Sequence, residues 1–185
     1  MSAYMCADLH LGHNNIHIYR QKESVAIHDE MVCDNWSDTV RSDKRDTTYV
    51  LGDIAFTEEG WLRFDSLPGR KIVILGNHCT EYVSTSFIAG LKTVNSVHSM
   101  LRYKGCILTH APLHPEHLRG KRNIHGHLHK HIVTDRRYFN CSLDQIDMRP
   151  IEVGALFEEF EKRRSLNYVR QKLGWRAAYR ALTNA

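Results

Sequence analysis

Short apolar runs alternate along this chain with longer stretches whose apolar residues recur at helical spacing. The runs SAYMCA (residues 2–7), TTYVL (47–51) and KIVIL (71–75) each end at Gly, Asp or Asn, which predicts strands. VNSVHSMLRYKGCILT (94–109) predicts a hairpin turning near Lys104 and Gly105, and YFNCSL (138–143) a further strand. Between them, Ile27, Met31, Val32, Trp36 and Val40 predict a helix over residues 24–40, and residues 58–67 predict a second that stops at Pro68. A third covers the tail from about residue 155, with Phe157, Phe160, Val169, Leu173 and Leu182 for its buried side. Strands alternating with helices predict an α/β architecture. No repeat, low-complexity tract or Pro/Gly/Ser-rich linker divides the chain, so residues 1–185 are expected to form one domain.

The polar residues that follow each strand carry the next inference. SAYMCA runs into Asp8 and His10, TTYVL into Gly52 and Asp53, KIVIL into Gly76, Asn77 and His78, and GCILT into His110. RNIHGHLHKH (122–131) adds His127 and His129, while Gly126 predicts a bend that sets His125 and His131 aside. Loops at the carboxyl ends of strands gather at one edge of an α/β sheet, where ligands bind. Five polar clusters are therefore expected to meet. Imidazole and carboxylate donors together suit manganese, iron, zinc or nickel better than an all-oxygen calcium cage.

Composition narrows the rest. The apolar fraction of 42% and charged fraction of 25% are those of an ordinary globular protein, and no apolar run approaches the roughly 20 residues that cross a bilayer. The N-terminus has no basic flank followed by an uninterrupted apolar core, so a cytoplasmic location is expected. Five widely spaced cysteines without a CxxC pair argue against a disulfide framework or a thiolate zinc knuckle. The net charge of +4 comes largely from Lys162, Arg163, Arg164, Arg170, Lys172, Arg176 and Arg180, a basic C-terminal helix that nucleic acid would fit, although the solvated face of an amphipathic helix is the better explanation.

Asp8-x-His10, Gly52-Asp53, Gly76-Asn77-His78, His110 and Gly126-His127-x-His129 stand in the order of the calcineurin-like metallophosphoesterase family, which the chain resembles from Asp8 to about Pro150. Its first motif, DLHLGHNNI, is similar to that of the small bacterial and phage-type phosphoesterases. The resemblance implies a four-layer αββα sandwich of two mixed sheets flanked by helices. It also implies two divalent ions, manganese favoured, with Asp8, His10, Asp53 and His129 on one and Asp53, Asn77, His110 and His127 on the other. A hydroxide bridging the ions would attack phosphorus, with His78 stabilising the transition state or protonating the leaving oxygen, and with Asn77 and Asp53 counted in the catalytic set. His13 and Asn14 follow the first motif closely enough to face a substrate.

Two departures refine this. Cys79 stands where the family usually has an acidic residue, and a small turn residue that leaves the metal ligands intact is expected there. GDIAFTEEG lacks the aspartate and arginine that follow Gly-Asp in the related protein phosphatases, which favours a diester monoanion, nucleotide-like or cyclic, over a monoester dianion. A phosphomonoesterase, a nuclease acting on nucleic acid and a catalytically silent interaction module are the alternatives.

Overall fold

The computed structural model describes residues 2–41 and 45–163. In chain order its elements are β1 (Ala3–Cys6), α1 (Ile16–Tyr19), α2 (Val25–Thr39), β2 (Thr47–Leu51), α3 (Glu58–Ser66), β3 (Arg70–Ile74), α4 (Thr85–Ala89), β4 (Val94–His98), β5 (Leu101–Tyr103), β6 (Cys106–Leu108), β7 (Arg122–His125), β8 (Tyr138–Asn140), β9 (Ile151–Glu152) and α5 (Val153–Arg163). Single 3₁₀ turns cover Pro115–Leu118 and Leu143–Gln145. The strands form two mixed sheets, ordered β4-β3-β2-β1-β9 and β5-β6-β7-β8, with helices flanking them. In the first, β1 to β4 are parallel and β9 runs antiparallel to β1. In the second, β5 and β6 are antiparallel, and β6, β7 and β8 are parallel. The two are joined where β1 and β8 end: the Ala7 amide donates to the Cys141 carbonyl (2.9 Å) and the Leu143 amide to the Ala7 carbonyl (3.0 Å).

Local chemistry explains the helix boundaries. Ser24 caps α2 by accepting from the Ile27 amide (3.2 Å), and Thr57 caps α3 by accepting from the Gly60 amide (3.0 Å), with Glu58 and Glu59 in the favourable first turn. Trp36, Trp61 and Phe64 are buried where α2 and α3 pack on the first sheet, so the central parallel strands are apolar on both faces. At the amino end of β3, Lys71 is fully buried. Its ammonium donates to the Leu67 carbonyl and to Thr93 Oγ1 (2.8 Å), and it lies over the Phe64 and Trp36 rings at 5.4 and 5.9 Å.

Two sequence expectations need correction. The stretch 94–109 is not one hairpin: β4 pairs in parallel with β3, the chain bends after His98, and only β5 and β6 form the hairpin turning at Lys104 and Gly105. An apolar alternation reports a strand's faces but not the sheet to which it belongs. Around α2, Val32, Trp36 and Val40 are buried as expected, but Ile27 is not. Ile27 is 42% exposed, while His28 and Asp29 are buried beside Val32 and Trp36 for a reason given below. The tail helix begins at Val153, close to its expected start, while Val169, Leu173, Leu182 and most of the basic residues lie outside the described residues. No helix among the described residues is long and apolar enough to cross a membrane.

Candidate metal centre

The strand ends expected to meet do meet. Past β1, the Asp8 amide donates to the Gly52 carbonyl and the His10 amide to the Asp53 carbonyl, both at 3.0 Å, while past β7 the Gly126 amide donates to the His110 carbonyl (2.8 Å). These bonds hold an unusual backbone: Asp8, His10, Asp53, His127 and His129 all have left-handed φ values, between +47° and +69°. Each such non-glycine residue costs of order 1 kcal/mol or more, and clustered outliers of this kind mark functional sites. Glycine is required beside them. A Cβ at Gly76 would collide with Asp53, and one at Gly126 with Asp8 and Ala7, so the room these glycines leave is filled by the carboxylates.

Two groups that could hold a metal ion result, Asp8 with His10 and His129, and Asp53 with His110 and His127, the donor atoms of each lying within 4.8 Å of one another. In the first, Asp8 Oδ2 accepts from Ser142 Oγ (2.5 Å) and the His127 amide (2.8 Å), while Oδ1 is buried with no hydrogen-bond partner and lies 3.8 Å from His10 Nε2. Both ring nitrogens of His10 are likewise buried without a partner. Burial pushes the His10 pKa down to about 4, so its ring is neutral with a lone pair to offer. Burial works against the Asp8 carboxylate, but His10, His110, His129 and Ser142 outweigh it and lower its pKa. Unpartnered buried acceptors are costly, and a cation shared by these atoms would satisfy them together.

The second group differs in that its atoms partner one another. His110 Nδ1 lies 2.8 Å from the Leu51 carbonyl, which makes it the protonated nitrogen, and Nε2 then faces Asp53 Oδ2 (3.2 Å) and Asn77 Oδ1 (2.9 Å). Asn77 thus joins Asp53, His110 and His127 as expected. Burial alone would raise the Asp53 pKa and lower that of His110. Their mutual hydrogen bond and charge reverse both, taking Asp53 down to about 2 and His110 above its ordinary value. Asp53 Oδ1 accepts from the His78 amide (3.0 Å).

Beneath the first group lies a network that sequence reading missed. His129 Nδ1 meets Asp144 Oδ2 (2.9 Å), and Arg20 clasps Asp144 through Nη2 (2.9 Å) and Nε (3.3 Å), both side chains almost wholly buried. Arg20 also donates to the Asp8 and Leu9 carbonyls (2.7 and 3.2 Å) and touches His28 Nε2 (2.9 Å). His28 Nδ1 bonds Asp29 Oδ1 (2.7 Å), and Asp29 Oδ2 accepts from the Gly12 amide (2.8 Å). The polar face of α2 is therefore buried to hold the Asp8–Gly12 loop. With its Nδ1 held by Asp144, His129 turns Nε2 to the ligand group. A signal was present, since YFNCSL includes Ser142 and runs into Asp144 just as the other strands run into polar site residues.

Cys79 is fully buried, its Sγ accepts from the Gly76 amide (3.2 Å), and burial raises its pKa, so it is a packed turn residue and no thiolate. The carboxylate expected beside His78 comes from two residues further on, where Glu81 Oε1 meets His78 Nδ1 at 2.7 Å. His13 and Asn14 line one cavity with His78, Glu81, Phe56 and Tyr82. Phe56 stacks on His10 at 4.9 Å and meets the His13 ring edge-on at 4.4 Å. His125 lies behind the site, its Nδ1 on the Gly126 carbonyl (2.8 Å).

No family model matches the chain. It is 27% identical to the Gene 66 protein of Mycobacterium phage L5, over 83% of this chain and 86% of that one. The Gene 66 protein of Mycobacterium phage D29 is 25% identical over 87% and 98%. Among solved structures, a protein of unknown function from Aquifex aeolicus matches 85% of this chain and 98% of its own with a TM-score of 0.64 and 22% identity. That likeness supports the arrangement of two mixed sheets and helices, and it carries the fold alone.

Proposed function

We propose that the protein is a dinuclear metal-dependent phosphoesterase that hydrolyses phosphodiester bonds of a small nucleotide-like substrate, on the αββα sandwich of the calcineurin-like metallophosphoesterases. The observation that carries this reading is the pair of groups, Asp8-His10-His129 and Asp53-His110-His127, the first of which holds buried Asp8 and His10 atoms that lack partners. Nitrogen and carboxylate donors without a thiolate suit manganese, with iron, zinc and nickel as alternatives. Asp8, His10 and His129 would hold one ion and Asp53, Asn77, His110 and His127 the other, with Asp53 shared.

A bound pair of divalent ions supplies an acidified water and charge for the phosphoryl oxygens. The chain's own residues do the rest. His78 sits half-exposed at the cavity edge with Nδ1 held by Glu81, which leaves Nε2 to pass a proton to the departing oxygen. Asp53 fixes the His78 backbone through its amide, tying the proton donor to the ligand set. A diester is favoured because, among the described residues, neither cavity is lined by Lys or Arg, and Arg20 is committed to Asp144. The extra charge of a monoester dianion would go unmatched.

The test is to purify the protein without chelator, determine bound metal by elemental analysis, and compare a bis-aryl phosphodiester with an aryl phosphomonoester across metals. Up to two equivalents of metal and a higher kcat/KM for the diester are expected. Absence of any metal-dependent turnover, or a preference for the monoester, refutes the reading.

A further inference from the structure

Two cavities flank the ligand groups, and His13 and Asn15 belong to the walls of both. The first, of about 620 Å³, extends from Asn14 past Phe56 and His78 to Glu58, Glu81 and Tyr82. The second, of about 410 Å³, borders His10, His127 and His129 and has Ile16, Tyr19 and Leu128 for its apolar wall. A monoester has one substituent to house, whereas a diester has two. Resting on the phosphodiesterase reading, we propose that the two cavities seat the two arms of a phosphodiester and that the first takes a nucleoside arm by its base.

The lining of the first cavity selects that occupant. Tyr82 is 63% exposed with its ring 6.4 Å from that of Phe56, so it offers an aromatic face over a floor that Phe56 closes. Bases of every kind stack on such a face. Asn14 and Asn15 have exposed side chains that both donate and accept, and the exposed Glu58 carboxylate accepts, which matches the mixed donor and acceptor edge of a base. A quaternary ammonium arm would use Tyr82 and Glu58 but has no hydrogen bond to give either amide. A further phosphate would face Glu58 and Glu81, so neither a polynucleotide continuing through this cavity nor a polyphosphate fits. The apolar wall of Ile16, Tyr19 and Leu128 receives the second arm.

Equilibrium dialysis of the manganese-loaded protein against adenosine 5′-monophosphate and ribose 5-phosphate reads the base contribution directly. The nucleotide is expected to bind roughly 5- to 100-fold tighter, the range that base stacking on one aromatic residue supplies. Tyr82→Ala and Glu58→Gln should shrink that ratio several-fold, while Leu62→Ala, at an exposed position of α3 outside both cavities, should not. In parallel, kcat/KM is compared for adenosine 5′-(p-nitrophenyl) phosphate, p-nitrophenyl phosphocholine and methyl p-nitrophenyl phosphate. The adenosine ester should lead, and Tyr82→Ala should narrow its lead. Equal binding of the two monophosphates, a ratio indifferent to Tyr82 and Glu58, or a lead for the choline ester overturns the proposal. Failure of the phosphodiesterase reading looks different: no diester is hydrolysed with any metal, while dialysis still decides whether the cavity binds a base.

Discussion

Asp144→Asn tests whether the buried network serves the ligand group or only the fold. Asp144 and Arg20 face each other with 3% and 2% side-chain exposure, and Arg20 makes two bonds to the carboxylate. Asparagine keeps the shape and one acceptor but leaves the guanidinium buried without a counter-charge. Removing one partner of such a pair costs about 2–5 kcal/mol, a large part of the roughly 5–15 kcal/mol that holds a domain together. His129 loses the acceptor that orients its ring, for which metal affinity should fall about 10- to 100-fold. Urea unfolding with chelator present measures the first effect, and calorimetric titration with Mn²⁺ the second. Asp135→Asn is the control, because Asp135 pairs with a partly exposed Arg137 in a surface contact worth about 0–1 kcal/mol. The pH dependence supplies a further check. Burial opposes the Asp144 carboxylate, but His129 and Arg20 hold it well below the usual range. A depressed carboxyl stabilises the fold above its unfolded pKa of about 3.9 and loses that effect as pH falls through and below it, so wild type and variant should converge in acid. Stability within about 0.5 kcal/mol of wild type at neutral pH, together with Mn²⁺ affinity within about twofold, would refute the assignment.

Lys71 should make stability rise with pH: burial lowers its pKa to about 8 against about 10.4 unfolded, so the unfolded chain binds more protons between those values and the native state gains about 3 kcal/mol across them. Urea unfolding of Lys71→Met should lose that rise, and an unchanged slope contradicts the argument. Cys79→Ser should cost only about 1 kcal/mol and keep the metal content, whereas Cys79→Asp, forced into a fully buried turn, should destabilise by about 2–5 kcal/mol; thermal melts and elemental analysis read both, and loss of metal in the serine variant would make the thiol a ligand after all. His78→Ala should lower kcat roughly 10²- to 10⁴-fold with metal content nearly unchanged, and Glu81→Gln should alter the pH–rate profile without removing activity; wild-type turnover in His78→Ala would exclude it as proton donor.

Elements whose signal is local can be read directly along the chain. The strands β1, β2 and β3 are legible because sheets covered on both faces make them continuous apolar runs, and the caps Ser24 and Thr57 mark their helices by chemistry within one turn. The residues of the two candidate metal-binding groups were legible for the same reason, since they follow closely on strand ends and α/β topology brings such ends together. Tertiary structure alone decided what depends on partners far apart in the chain. Arg20 and Asp144 are separated by 124 positions, and although Asp144 follows a strand end, nothing around Arg20 distinguishes a buried clasp from a solvated charge. His28 and Asp29 read as the polar side of an amphipathic helix until the Gly12 loop and Arg20 are seen to need them. The division of residues 94–109 between two sheets is equally invisible, because backbone pairing is nearly independent of side chains while the alternation of faces is the same in either sheet. Local pattern reports which face of an element is buried; what it is buried against is a property of the whole fold.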